Sequence, residues 1–143
     1  MSTFGKCTEN QILAFEKKHQ VQIPNSLKSF LMDTNGNVFD EGICIPISSG
    51  SENIYVDALF GVGLANKWLD MDYWLEQYAD ELPSGTLIIG SDVLEGFILI
   101  LIVPENSGVY YWDDKLNLAE STTTSNCYHI CDSIEEFLKK LFA

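Results

Sequence analysis

Seven consecutive apolar residues, Phe97-Ile98-Leu99-Ile100-Leu101-Ile102-Val103, follow Gly96 and constrain the fold more than any other stretch of the chain. The run is far short of the roughly 18 residues a membrane helix needs. It reads instead as a strand buried on both faces. Leu87–Ser91 before it and Val109–Trp112 after it read as strands too, the second joined through the hairpin-type connection Asn106-Ser107-Gly108. Links of a few residues cannot make parallel crossovers, so the sheet is expected to be mainly antiparallel.

Helical patterns lie outside this block. Thr8 and Gln11 have the spacing of a capping box, opening a helix through Ile12, Leu13, Phe15 and Glu16 to about His19. His19, after two lysines, is read as stabilising the last carbonyls of that helix. Ile23-Pro24 forces an extended link, and a second short helix carries Leu27, Phe30 and Leu31 until Asn35-Gly36 ends it. Strands are expected at Ile43–Ile47 and Ile54–Phe60, and near Tyr128–Ile130. A closing helix carries Ile134, Phe137, Leu138 and Leu141, capped by Asp132 or Ser133. Between residues 64 and 82, Leu64, Trp68, Met71, Leu75, Tyr78 and Leu82 form one apolar stripe at helical spacing, in one helix or in two with a bend. Gly61, Gly63 and Gly90 read as turn glycines, and residues 113–126 as a polar loop. The expectation is an α+β fold: one domain over 1–143, with a mainly antiparallel (mixed) sheet of about six strands. Helices stand at both ends and one long helical segment in the centre.

Charge then limits the partners. The net charge is −13, and all eight basic residues are lysines. Residues 29–114 hold 15 acids against Lys67 alone. Such a field repels phosphate, which excludes nucleic acid and anionic membrane as partners and favours a basic protein. The opening Met1-Ser2-Thr3-Phe4-Gly5-Lys6 lacks the apolar core of a secretion signal, so a cytoplasmic location is expected.

The residues point away from catalysis. No phosphate loop, nucleophile elbow, zinc-protease or dinucleotide-binding motif occurs. Cys127, His129 and Cys131 would share one face of a strand, but same-face neighbours about 7 Å apart reach a single tetrahedral ion poorly. Packing is the expected role of the cysteines, and no metal or cofactor is expected. The acid pairs Asp113-Asp114 and Asp70/Asp72 read as solvated surface.

Several segments resemble one family. Ile12-Leu13-Ala14-Phe15-Glu16, then Ile23-Pro24-Asn25-Ser26-Leu27-Lys28-Ser29-Phe30-Leu31, then Asn35-Gly36, resemble the opening of the SUKH superfamily, which takes its name from the yeast cell-wall-synthesis regulators. Ile89-Gly90-Ser91-Asp92, Val109-Tyr110-Tyr111-Trp112-Asp113 and Ser133-Ile134-Glu135-Glu136-Phe137-Leu138 are similar to its later strands and closing helix. Val93-Leu94-Glu95-Gly96-Phe97 departs from the glycine- and aspartate-rich continuation usual after Gly-Ser-Asp. The resemblance implies an α+β fold without catalysis. It also implies an immunity protein that binds and neutralises the C-terminal toxin domain, often a nuclease, of a contact-dependent or polymorphic bacterial toxin. The alternative it implies is an intracellular regulatory or scaffold domain.

No contact residue follows from the resemblance, so the candidate surface rests on charge and helical geometry. Asp70, Tyr73, Glu76, Asp80 and Glu81 project from the polar side of segment 64–82, as acids around one aromatic anchor. Asp40 and Glu41 form a second candidate patch.

Overall fold

The computed structural model describes residues 2–48, 52–102 and 107–143, and its first helix begins as the spacing predicts. Helix α1 (Glu9–His19) opens on a reciprocal box: Gln11 N–H donates to Thr8 Oγ1 at 3.1 Å, and Thr8 N–H donates to Gln11 Oε1 at 2.9 Å. It buries Ile12 and Phe15. Helix α2 (Asn25–Asp33) buries Leu27 and Leu31. Its end is stitched to the rest of the chain by Asn35, which is 4% exposed. The Asn35 side chain accepts from Val62 N–H at 2.8 Å and donates to Val62 C=O at 2.9 Å. Gly36 follows at φ +92°, where a Cβ would stand 3.1 Å from the backbone of Gly61. Asn35→Ala leaves both buried Val62 groups unpaired and is expected to cost about 2 kcal/mol, read as a lower urea midpoint with an unchanged slope.

Among the described residues seven strands pair strictly in chain order, every pair antiparallel. They are β1 (Ser2–Thr3), β2 (Asn37–Pro46), β3 (Asn53–Leu59), β4 (Leu87–Asp92), β5 (Phe97–Leu101), β6 (Gly108–Trp112) and β7 (Cys127–Cys131). Apart from the two-residue β1, these are the six expected strands. The apolar run supplies β5, four of whose five residues are buried; Val103 and Asn106, read as strand and turn, lie outside the described residues. Register shifts interrupt four of the pairings, and such bulges bend and twist a sheet. The sheet curls so far that Ser48, just past β2, donates its N–H to His129 C=O of β7 at 2.9 Å. Gly90 is not a turn glycine: it lies within β4 at one such irregularity, where a Cβ would meet Ala58 C=O at 2.5 Å. The last helix, α4 (Ile134–Leu141), is capped by Ser133, whose Oγ accepts from Glu136 N–H, and it buries Ile134, Phe137 and Leu141.

The stripe from 64 to 82 does not form one long helix. Only α3 (Met71–Tyr78) is α-helical, with 3-10 turns at Lys67–Leu69 and Ala79–Glu81. The reason is local competition for the backbone. Asn66 and Asp70 each accept the N–H two residues ahead, from Trp68 at 3.0 Å and Asp72 at 3.1 Å. Gly61 then pins the extended residue Asp70 between two bonds, donating to Leu69 C=O and accepting from Met71 N–H, both at 2.9 Å. At the other end Pro83 keeps Leu82 extended.

Candidate partner-binding surface

Helix α3 sets an aromatic wall beside the sheet. Trp74 and Tyr78 pack on Phe97 of β5 with ring centroids 5.0 and 5.2 Å apart, and Trp112, opposite Phe97 on β6, meets Tyr78 edge-on at 5.3 Å. Trp68 extends the wall outward: its C=O accepts the Trp74 indole N–H at 2.8 Å, while the residue stays 54% exposed. Between this wall and β2, β3 and β4 runs an open groove of about 590 Å³.

Acids line the other side of the groove. Asp57 of β3 accepts the Ser91 hydroxyl at 2.7 Å. Asp92 of β4 is only 2% exposed; its Oδ1 accepts Gly96 N–H at 2.9 Å and Tyr111 O–H at 3.1 Å. Its Oδ2 is buried and has no hydrogen-bond partner among the described residues. Burial pushes the Asp92 carboxyl above the usual carboxylate range, outweighing the hydrogen bonds from its surroundings, and the nearby Asp57 charge adds to the push. Asp40 and Glu95, both exposed, complete the acidic rim, and Lys115 is the one basic residue among the described lining. Tyr78 also borders a second depression with Trp112, Glu81 and Asp114. There Asp114 Oδ1 is likewise buried without a partner, and burial raises that carboxyl as well.

The residues singled out from sequence divide. Asp40 falls on the main groove and Glu81 on the second depression. Glu41 lies beside Asp40 where β2 breaks register with β3, exposed but outside the groove lining, and Asp80 is exposed on the 3-10 turn after α3. Asp70, read as a solvated acid, caps α3, so its carboxylate is engaged by the backbone. Glu76 pairs with Lys18 at 2.5 Å. Tyr73 packs edge-on against Trp68 and Trp74, with Lys67 Nζ 5.3 Å from its ring centre.

The structure corrects three further readings. His19 does not serve the carbonyls of its own helix: Nε2 meets Asp72 Oδ1 at 2.6 Å and ties α1 to α3. Burial alone would raise the Asp72 carboxyl, but the His19 and Lys18 hydrogen bonds outweigh it and hold it below the usual range. Asp113 is not solvated either; it is fully buried. Cys127 is exposed and Cys131 buried, because a register shift between Val109 and Tyr110 breaks the strand's alternation near its end. Among the described residues no group of three His, Cys, Asp or Glu is arranged to hold a metal ion.

Sequence reasoning missed Trp74, Asp57, Asp92 and Glu95. One signal was present: Trp68, Tyr73, Trp74 and Tyr78 are more aromatics than a single core-facing stripe can bury. The acids carried no signal, since β3 and β4 bring them together only by pairing.

Residues 6–140 match the model of the SMI1/KNR4 family (SUKH-1). The chain belongs to that family. The match covers the whole groove, from Val38 to Lys115, and every segment that carried the resemblance. No curated protein and no solved structure matches this SUKH-1 chain. No helix among its described residues is long and apolar enough to cross a membrane.

Proposed function

We propose that this SUKH-1 chain is a non-catalytic immunity protein that binds the basic C-terminal domain of a bacterial toxin and neutralises it in the cytoplasm. The observation that carries the reading is the groove. Part of the acidic excess of residues 29–114 gathers as Asp40, Asp57, Asp92 and Glu95 around an aromatic wall, with an exposed tryptophan at its edge. A buried carboxylate without a cationic partner, as at Asp92, costs stability in the free protein, and a basic partner would recover part of that cost. A domain that grips phosphate presents clustered positive charge, and an acidic groove competes for that surface. Trp68 matches the usual chemistry of an interface anchor, with charges around it that steer the encounter.

The test is capture from the source cells on tagged protein at low salt, with elution by a salt step. One basic polypeptide, toxic when expressed alone and harmless when co-expressed with this chain, is the expected result. Several unrelated signalling proteins would favour a regulatory scaffold instead. With the captured partner, neutralising Asp40, Asp80, Glu81 and Glu95 together is expected to slow association about tenfold at low salt and to flatten its salt dependence. An association rate that is the same at low and high salt would sink this placement.

A further inference from the structure

The kind of charge in the groove narrows what can fill it. Asp92 is more than nine-tenths buried, lines the groove, and has one carboxylate oxygen with no donor among the described residues. Asp57 and Glu95 stand with it, and Lys115 is the sole cation among the described lining. A site with this sign needs a cationic occupant. Its other half is aromatic: Trp68, Trp74 and Tyr78, with Phe60 and Phe97 behind them. A volume of about 590 Å³ lies within the range of ordinary ligand pockets.

Those two halves together discriminate between cations. An ammonium is a compact, strongly hydrated charge, whereas a guanidinium is planar, less hydrated, stacks on aromatic faces and presents parallel N–H groups to carboxylates. A metal ion fits poorly, since no ligand cluster is arranged for one among the described residues, and a bare ion has no use for the indole rings. The chain contains no arginine, so no side chain of its own can occupy the site in that way. We propose that the groove receives an arginine side chain of a basic polypeptide, with the guanidinium against the aromatic wall and paired with the carboxylates of Asp57, Asp92 and Glu95. The inference takes its polypeptide partner from the immunity reading, and the groove's preference for arginine can be tested without that partner.

The full chain is titrated with a capped pentapeptide bearing one central arginine, with its citrulline counterpart and with its lysine counterpart. Binding is followed by tryptophan fluorescence, since two of the three tryptophans, Trp68 and Trp74, line the groove. The arginine peptide is expected to bind at least about tenfold tighter than the citrulline peptide, the size of one charge-assisted contact, and measurably tighter than the lysine peptide. Asp92→Asn keeps an oxygen for Gly96 and Tyr111 and is expected to remove most of that difference. Because a buried change can disturb folding, the double variant Asp40→Asn/Glu95→Gln, exposed at both positions, is the second arm. It is expected to weaken the arginine peptide, whereas Lys115→Gln strengthens it. Equal binding of arginine and citrulline peptides overturns the proposal, as does an exposed-rim variant that binds like the parent. Lysine binding as well as arginine overturns the choice of guanidinium. A chain that discriminates the peptides but captures no toxin overturns the immunity reading alone; one that captures a toxin but ignores the peptides overturns the groove assignment alone.

Discussion

Gly96→Ala is expected to destabilise the protein by about 3 kcal/mol or more, at the upper end of what overpacking costs. A Cβ at this position would stand 2.2 Å from the Tyr111 hydroxyl and 2.4 and 2.5 Å from two ring carbons. Tyr111 cannot step aside. Its ring is fully buried and its hydroxyl is held by Asp92. The backbone at Gly96 is not in the left-handed region, so the cost is one of space alone. Calorimetry should show a fall in Tm on the order of 10 °C for a chain of this size. Tyr111→Phe deletes the nearest clashing atom, so the double variant should lose less than the sum of the two single losses. A Tm within about 2 °C of the parent would show that the β4–β5 turn relaxes freely, against the dense packing expected of an interior.

Asp113→Ala carries the second large effect, about 3–4 kcal/mol, because three donors, the Leu118 N–H among them buried, lose their acceptor at once. The carboxylate accepts from Asn117 N–H at 2.9 Å, Leu118 N–H at 2.8 Å and the Ser121 hydroxyl at 2.6 Å. Its backbone is bonded in both directions to Asn126. One side chain therefore organises the loop between β6 and β7. Burial pushes the Asp113 carboxyl up, but the Ser121, Leu118 and Asn117 donors outweigh it and hold it below the usual range. A depressed native pKa stabilises the fold fully above the unfolded value of about 4, and that stabilisation is lost as pH falls through the native value. Stability measured from pH 7 downward should thus decline less steeply in Asp113→Asn than in the parent. Parallel curves would mean that Asp113 titrates alike in the folded and unfolded chains.

Little of the candidate site was legible beforehand. Asp40 and Glu81 were singled out and do line depressions, yet Asp70 and Glu76 from the same reasoning are engaged by the backbone of α3 and by Lys18. Helical projection treated segment 64–82 as one rod, whereas Asn66, Asp70 and Pro83 break it. Each break rotates the residues beyond it, so side chains assigned to one face no longer share it. Asp113 and Asp92 failed for another reason. An acid buried because the chain after it wraps back onto its carboxylate looks the same in sequence as one left in water.

Local chemistry determined the elements. Apolar runs of strand length, short connections and capping residues at Thr8 and Ser133 act over a few positions, so the antiparallel strands and the terminal helices could be read directly. The acidic excess of residues 29–114 could be read in the same way, because net charge needs no coordinates. Only the tertiary structure decided where that charge is used. The curl of the sheet, the pinning of Asp70 by Gly61 and the pairing of β3 with β4 place Asp57 and Asp92 beside the aromatic wall. Those are contacts between residues far apart in the chain, and their energies depend on burial and on a partner's position, which no local spacing encodes.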